Sequence, residues 1–234
     1  NSILKVVNSS SYIIDTVKYN NENIALFAYK NDNSVLSIPI IRISDAKNRD
    51  TLFMGLVNEF ISRAIKEKCH QIRISESNIK ERYSSILLKF GFIIQDSSYV
   101  KHVIDECIAS DELGRLIKQN NIPILDELID QSQLLDIERK LFPLKITDID
   151  IPCYIIPIKA VWAANLFDKL IAGESLFGAD VQKLWNVENI YYRSTKPINE
   201  RFPARILWYV SADKKHSRSK AIVACSYLDE SLTG

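Results

Sequence analysis

Between residues 52 and 92 the apolar positions change period twice. Apolar pairs first recur every four residues, at Leu52/Phe53, Leu56/Val57, Phe60/Ile61 and Ala64/Ile65. Asn58, Glu59, Ser62, Arg63, Lys66 and Glu67 fill the positions between them. That spacing predicts a helix over Leu52–Lys68 with one buried face. Gln71–Ser75 then alternates with period two, as a half-buried strand does. Ile79, Tyr83, Ile86, Leu87 and Phe90 return to helical spacing and predict a second helix over Asn78–Phe90. Gly91 follows where a helix stops in a left-handed turn. A helix N-terminus beside a sheet can form an anion or ligand site, because its first N–H groups are unpaired and carry partial positive charge.

The pattern changes after residue 105. Asp105–Asp150 contains eleven Asp/Glu and five Lys/Arg. Ser110 can cap a short helix carrying Leu113, Leu116 and Ile117, and Pro123 suits the first turn of another. Leu125, Leu128, Ile129, Leu135 and Leu141 suggest a longer helix ending before Pro143. From Ile151 the order is a strand (Cys153–Ile158), a helix (Ala160–Ala172), glycines 173 and 178, and three strands (Asn189–Ser194, Arg205–Ser211, Ala221–Tyr227). One strand and a helix followed by several strands suggest a small barrel or curled sheet. The expected organisation is three segments: 1–105, an acidic helical connector over 106–150, and 151–234.

Composition narrows the function classes. The 234 residues are 47% apolar and 25% charged, with a net charge of +1, as in an ordinary globular protein of one or two domains. Bulk charge therefore does not make the whole chain a polyanion binder. No apolar run is long enough for a bilayer, and no charged-then-apolar leader opens the chain. Cys69, Cys107, Cys153 and Cys225 are dispersed, and His70, His102 and His216 do not cluster, so a structural zinc site is not expected. Dispersed cysteines fit reduced, mostly buried thiols and a cytoplasmic location. The chain starts at Asn1 and stops just after a strand-like run, so a longer parent protein is expected; the intact mass of the natural product checks this.

The stretch Val35–Ile43, Ser44–Thr51, Leu52–Lys68, Gln71–Ser75, Asn78–Phe90 and the turn Phe90-Gly91-Phe92 resembles the GNAT family of acyl-CoA-dependent N-acetyltransferases over roughly residues 10 to 105. The resemblance implies an α+β fold with a mixed sheet and flanking helices, acetyl-CoA as cofactor, and amine acylation. It places the cofactor's diphosphate at the start of the long helix, implying Ile43, Ser44, Lys47, Arg49, Asp50, Thr51 and Asn78 as cofactor-binding residues. The family's loop there is glycine-rich, whereas this chain has no glycine before Gly55. The loop reads either as a retained phosphate cradle, with Lys47 and Arg49 on the phosphate and Asp45 and Asp50 opposing it, or as plain helix capping by Asp45 or Asp50. The family's tyrosine acid falls on Leu87, so Tyr83, one turn earlier on the same face, is the candidate acid; its other reading is a core tyrosine with its hydroxyl at the rim. Glu76, and beside it Glu81, are candidate bases acting through water, or else solvated residues complementing a helix dipole.

Ile158-Lys159, the helix ending at Ala172-Gly173, and Tyr191-Tyr192-Arg193 resemble PUA-like domains of the ASCH type. That resemblance implies a small PUA-like β-barrel over 151–234 and an RNA or nucleotide ligand. Between Tyr191 and Lys220 there are eight Lys/Arg against Glu200 and Asp213. Lys159, Tyr192, Arg193, Lys196, Arg201, Lys214, Lys215 and Arg218 are the nucleic-acid candidates, with Phe202, Trp208 and Tyr209 interleaved. The same charges also read as a solvated hairpin, and Trp208 and Tyr209 as core. The expected function is an acetyl-CoA N-acyltransferase joined to a nucleic-acid- or nucleotide-binding domain; the alternative is a non-catalytic RNA- or nucleotide-binding protein on a GNAT-derived scaffold.

Overall fold

The computed structural model describes residues 4, 6, 8–19, 21–44, 49–77, 79–123, 131–166, 201–213 and 219–230. It divides into two compact units, Asn1–Ile149 and Asp150–Gly234.

The first unit is built on a six-stranded sheet in the order β1-β2-β3-β4-β6-β5. The strands are β1 (Ile13–Tyr19), β2 (Glu22–Asp32), β3 (Val35–Ile43), β4 (Gln71–Ile74), β5 (Ile93–Gln95) and β6 (Ser98–His102). β3 and β4 are parallel and joined through helix α1 (Arg49–Lys66); every other neighbouring pair is antiparallel. The sequence reading assigns no element before Val35, and the structure corrects this with β1 and β2. β2 hides its alternation because it is covered on both faces: Phe27 joins the main core, while the adjacent Ala28 packs with Val6 and Ile40. Asn33 (φ 51°) and Ser34 (φ 65°) join β2 to β3, and Asp96 (φ 48°) and Ser97 (φ 60°) join β5 to β6. Two-residue turns with both φ values positive match the twist of the strands they connect.

Pro39 has no N–H, yet it lies in β3, between β2 and β4. The ladder accommodates it with a bulge: Ala28 faces Ile40 and Lys30 faces Ser37, so Tyr29 alone opposes Ile38 and Pro39.

The apolar stripe of α1 (Phe53, Leu56, Val57, Phe60, Ile61, Ala64) packs on Leu36, Ile38, Ile72 and Ile74. Fully buried side chains such as Phe53 and Phe60 each contribute about 2–3 kcal/mol of transfer free energy. The second helix, α2 (Glu81–Lys89), starts three residues later than its apolar period indicates. Lys80 is extended (φ −65°, ψ 147°), so Ile79 belongs to the approach rather than to the helix. At the other end Phe92 N–H donates to Leu87 O and Gly91 N–H to Leu88 O, both at 3.0 Å. With Gly91 at φ 79°, this is the left-handed stop that the sequence indicates.

Residues 106–149 belong to this unit. They form β7 (Cys107–Ile108), a 3-10 turn (Ser110–Glu112), α3 (Leu113–Gln119), α4 (Gln131–Lys140) and β8 (Lys145–Ile146), with β7 and β8 parallel. Ser110 does not cap α3: its N–H and Oγ bind the Asp148 carboxylate at 2.8 and 2.7 Å. Glu138, fully buried, accepts from Ile146 N–H at 2.7 Å and from Lys145 Nζ at 3.2 Å. The C-terminus of α4 docks on the sheet side of the unit, where Lys101 Nζ donates to Lys140 O at 2.9 Å.

The second unit has a three-stranded sheet, order β11-β10-β9, from β9 (Cys153–Ile158), β10 (Ala204–Val210) and β11 (Ala221–Leu228), plus helix α5 (Ala160–Leu166). β9 and β10 are parallel, and β10 and β11 antiparallel. Ile156, Ile158, Ala163, Ile206, Trp208 and Val210 form its core. Among the described residues the sheet is open and no barrel closes; the strand expected at Asn189–Ser194 and the rest of the expected helix lie outside them. The expectation of mostly buried thiols is corrected. Cys69 is buried, but Cys107, Cys153 and Cys225 are exposed. Cys153 alternates outward beside the buried Ile156 and Ile158, and Cys225 faces the same side from β11. No helix among the described residues is long and apolar enough to cross a membrane.

Candidate functional site

β3 and β4 stay paired only from Val35/Gln71 to Ile38/Ile74, with one further bond from Ser75 N–H to Ile38 O at 3.1 Å. β4 ends there, while β3 runs on to Ile43. Parallel strands that part in this way leave main-chain donors and acceptors of the longer strand facing a gap. The gap is a cavity of about 240 Å³ lined by Ile41, Arg42, Ile43, Phe53, Glu76, Ile79, Lys80 and Tyr83. It therefore gathers the end of β3, the first turns of α1, the segment after β4 and the start of α2.

Glu76 is 7% exposed, which overturns its reading as a solvated, dipole-complementing residue. Its Oε2 accepts from Ile41 N–H at 3.3 Å and from Arg42 Nη1, while the same Nη1 donates to Ile41 O at 2.8 Å. A carboxylate removed from water needs such partners, because an unpaired buried charge is strongly unfavourable. Tyr83 is 8% exposed and stacks on Phe53, with ring centroids 4.3 Å apart and an interplanar angle of 27°. It belongs to the core, as one of its two readings has it, and also walls the cavity. Leu87 is fully buried core.

The expected cofactor residues separate. Ile43 lines the cavity. Ser44 is exposed, but its N–H is spent on Ile24 O at 2.9 Å, so that donor serves the sheet and not a phosphate. Arg49, Asp50 and Thr51 form the first turn of α1. Among the described residues Asp50 accepts from no N–H of α1. Its Oδ2 pairs with Arg82 Nη2 at 2.8 Å, which ties the start of α1 to α2, and its buried Oδ1 has no partner among the described residues. Lys47, Asp45 and Asn78 lie outside the described residues. Glu81 opens α2 in its first turn.

Arg42, Phe53, Lys80 and the main chain of Ile41 were not singled out from the sequence. Arg42 carried a signal: it is the single charge in a nine-residue strand. The Ile41 contribution carried none, because a backbone group becomes available only where a neighbouring strand ends.

In the second unit, Trp208 is 7% exposed and its Nε1 donates to Ser226 Oγ at 2.9 Å, so it is a satisfied core residue and not a base-stacking surface. Lys159 precedes α5, and its carbonyl accepts from Trp162 and Ala163 N–H, each at 3.0 Å. Arg201 is exposed and its N–H donates to Tyr154 Oη at 2.8 Å. Tyr192, Arg193, Lys196, Lys214, Lys215 and Arg218 lie outside the described residues. No group of His, Cys, Asp and Glu among the described residues could hold a metal ion.

No family model and no curated protein matches this chain. Among solved structures it is similar to a GNAT family acetyltransferase from Elizabethkingia anophelis with acetyl-CoA bound, at 22% identity, covering 41% of this chain and 61% of that one, with a TM-score of 0.36. It is similar to a Bacillus subtilis acetyltransferase in complex with CoA at 14% identity, covering 44% of this chain and 84% of that one, with a TM-score of 0.37. It is also similar to the PaiA N-acetyltransferase of Thermoplasma acidophilum in complex with coenzyme A, at 13% identity, covering 42% and 64%, with a TM-score of 0.34. The chain spans less than two thirds of the first and third of these proteins.

Proposed function

We propose that the first unit is an acyl-CoA-dependent N-acyltransferase of the GNAT type, acting on an amine at the cavity where β3 and β4 part. The observation that carries this reading is that one gap brings together an edge of β3 at Ile41 that no strand covers on this side, a buried carboxylate at Glu76 and a tyrosine at Tyr83. At about 240 Å³ the cavity is below the ~300–1,000 Å³ of whole small-molecule sites, so it suits the reacting end of a cofactor and not its nucleotide. Ile43 and the first turn of α1 would hold the cofactor, which supplies a thioester as the acyl source.

An amine that adds to a thioester carbon forms a C–N bond as the C–S bond breaks. The nitrogen must lose a proton and the departing sulfur must gain one. Glu76, buried in the cavity wall, is the group in the cavity that can accept the first. Tyr83 is the group that can supply the second. Phe53 holds the Tyr83 ring in place, which fixes the direction of that donor.

Two measurements test this. Millimolar acetyl-CoA is expected to raise the melting temperature by a few degrees, since a ligand of the folded state alone stabilises by mass action. With an accepted amine, Tyr83→Phe is expected to lower turnover about ten- to a hundred-fold with acetyl-CoA affinity unchanged. An unmoved melting temperature at millimolar acetyl-CoA would sink the reading.

A further inference from the structure

The main-chain groups of Ile41 that face the gap are already occupied. Ile41 N–H donates to Glu76 Oε2 and Ile41 O accepts from Arg42 Nη1, while Oε2 and Nη1 also pair with each other. The four atoms form a closed ring that takes up the donor and the acceptor a neighbouring strand would have used. The two side chains differ in exposure: Arg42 is 42% exposed and Glu76 4%. The guanidinium is therefore the half that can swing into water, and the carboxylate is the fixed half.

We propose that the Arg42–Glu76 pair is a closed latch on the free edge of β3, which an extended, amide-bearing ligand must open before it can bond to Ile41. This rests on the acyltransferase reading, in which the ligand is the amide arm of an acyl-CoA. An amide carbonyl and N–H lying along β3 would make the same two bonds the latch makes, so ligand and latch exclude one another. Apparent affinity is then reduced by the fraction of molecules in which the latch stands open. Arg42 sets acyl-CoA affinity without touching the reacting atoms, as a positioning residue whose removal tightens binding.

The test compares the wild-type chain with Arg42→Met and with Arg42→Met/Glu76→Met, which leaves no lone buried charge. Acetyl-CoA affinity is read by calorimetry, and hydrogen exchange at the Ile41 amide by NMR without ligand. The expected result is a Kd about ten-fold lower in the variants and faster Ile41 exchange in the double variant. Should the double variant not fold, Arg42→Lys, which keeps the charge but loses the planar fork, is expected to move Kd in the same direction. Equal Kd values across the set would overturn the latch and leave the acyltransferase reading standing. Unchanged Ile41 exchange in the double variant would also overturn it. If neither wild type nor variants bind acetyl-CoA, the acyltransferase reading fails and the latch fails with it.

Discussion

Gly91→Ala is expected to destabilise the first unit by about 2–5 kcal/mol, among the largest effects of any single substitution here. Two independent penalties meet at this position. The backbone sits at φ 79°, where a residue with a side chain is strained by about 1–2 kcal/mol. A Cβ added there would also lie 2.5 Å from Lys140 O and 2.9 Å from Lys140 Cα. Those are backbone atoms at the end of α4, so no side-chain rotation relieves the overlap; α4 or the helix-stop turn must move. Urea unfolding of Gly91→Ala and Gly91→Asn separates the two penalties. Asparagine tolerates the left-handed region better than alanine but carries the same Cβ. If the contact with Lys140 dominates, Gly91→Asn is nearly as damaging as Gly91→Ala; if backbone strain dominates, the asparagine variant recovers most of the loss. A loss below about 1 kcal/mol for Gly91→Ala would show that α4 does not pack here as described.

Lys101→Met is expected to abolish a pH dependence of stability worth about 3 kcal/mol between pH 7 and 9.5. Lys101 lies on β6 opposite Ile72, is fully buried, and caps the C-terminus of α4 through Lys140 O. Burial pushes its ammonium down to about 7 from the ordinary 10.5. Between those values the unfolded chain keeps a proton that the folded chain has released, so raising the pH through this window stabilises the fold. Below about pH 7 both states hold the proton and the unfavourable burial of the charge is fully present. Other groups titrate over the same range, so the informative quantity is wild type minus Lys101→Met, from urea unfolding at several pH values. A difference that stays flat from pH 7 to 9.5 would sink the prediction. Lys101 and Gly91 both lie against Lys140, so their effects should not add, and a double-mutant cycle is expected to show coupling.

The neighbouring His102 is 5% exposed and is pushed down to about 4, first by burial, then by His70 and Lys101. Neither of its ring nitrogens has a hydrogen-bond partner among the described residues. Its contribution has the same sign in a more acidic window: stability falls as pH drops from about 6.5 towards 4, where the unfolded chain takes up a proton first.

Period and punctuation made much of the first unit legible in the sequence. The stripe of α1 and the helix stop at Gly91 follow from local rules, because each depends on residues within one or two turns of one another. β2 was not legible, since a strand buried on both faces loses its alternation. Nor was the inward position of Lys101: in a period-two strand a lysine reads as outward, yet it shares a sheet face with the core residue Ile72 and reaches Lys140 O at the end of α4.

The site follows the same division. Tyr83 and Glu76 could be named through the family resemblance, and Arg42 was visible as one charge in an apolar strand. That Glu76 is buried, that Arg42 turns back on it, and that the main chain of Ile41 takes part were not visible. These depend on β4 ending at Ile74 while β3 continues, which sets Ile41 and Glu76, 35 positions apart along the chain, within hydrogen-bond distance of each other. Over residues 52–92 the sequence by itself determined which segments fold as helix or strand and which faces are apolar, because those choices are made over a few residues; β1 and β2 were beyond it. Tertiary structure alone decided which polar groups lose water and which partners they then find, because desolvation is set by whatever packs against a group from elsewhere in the chain.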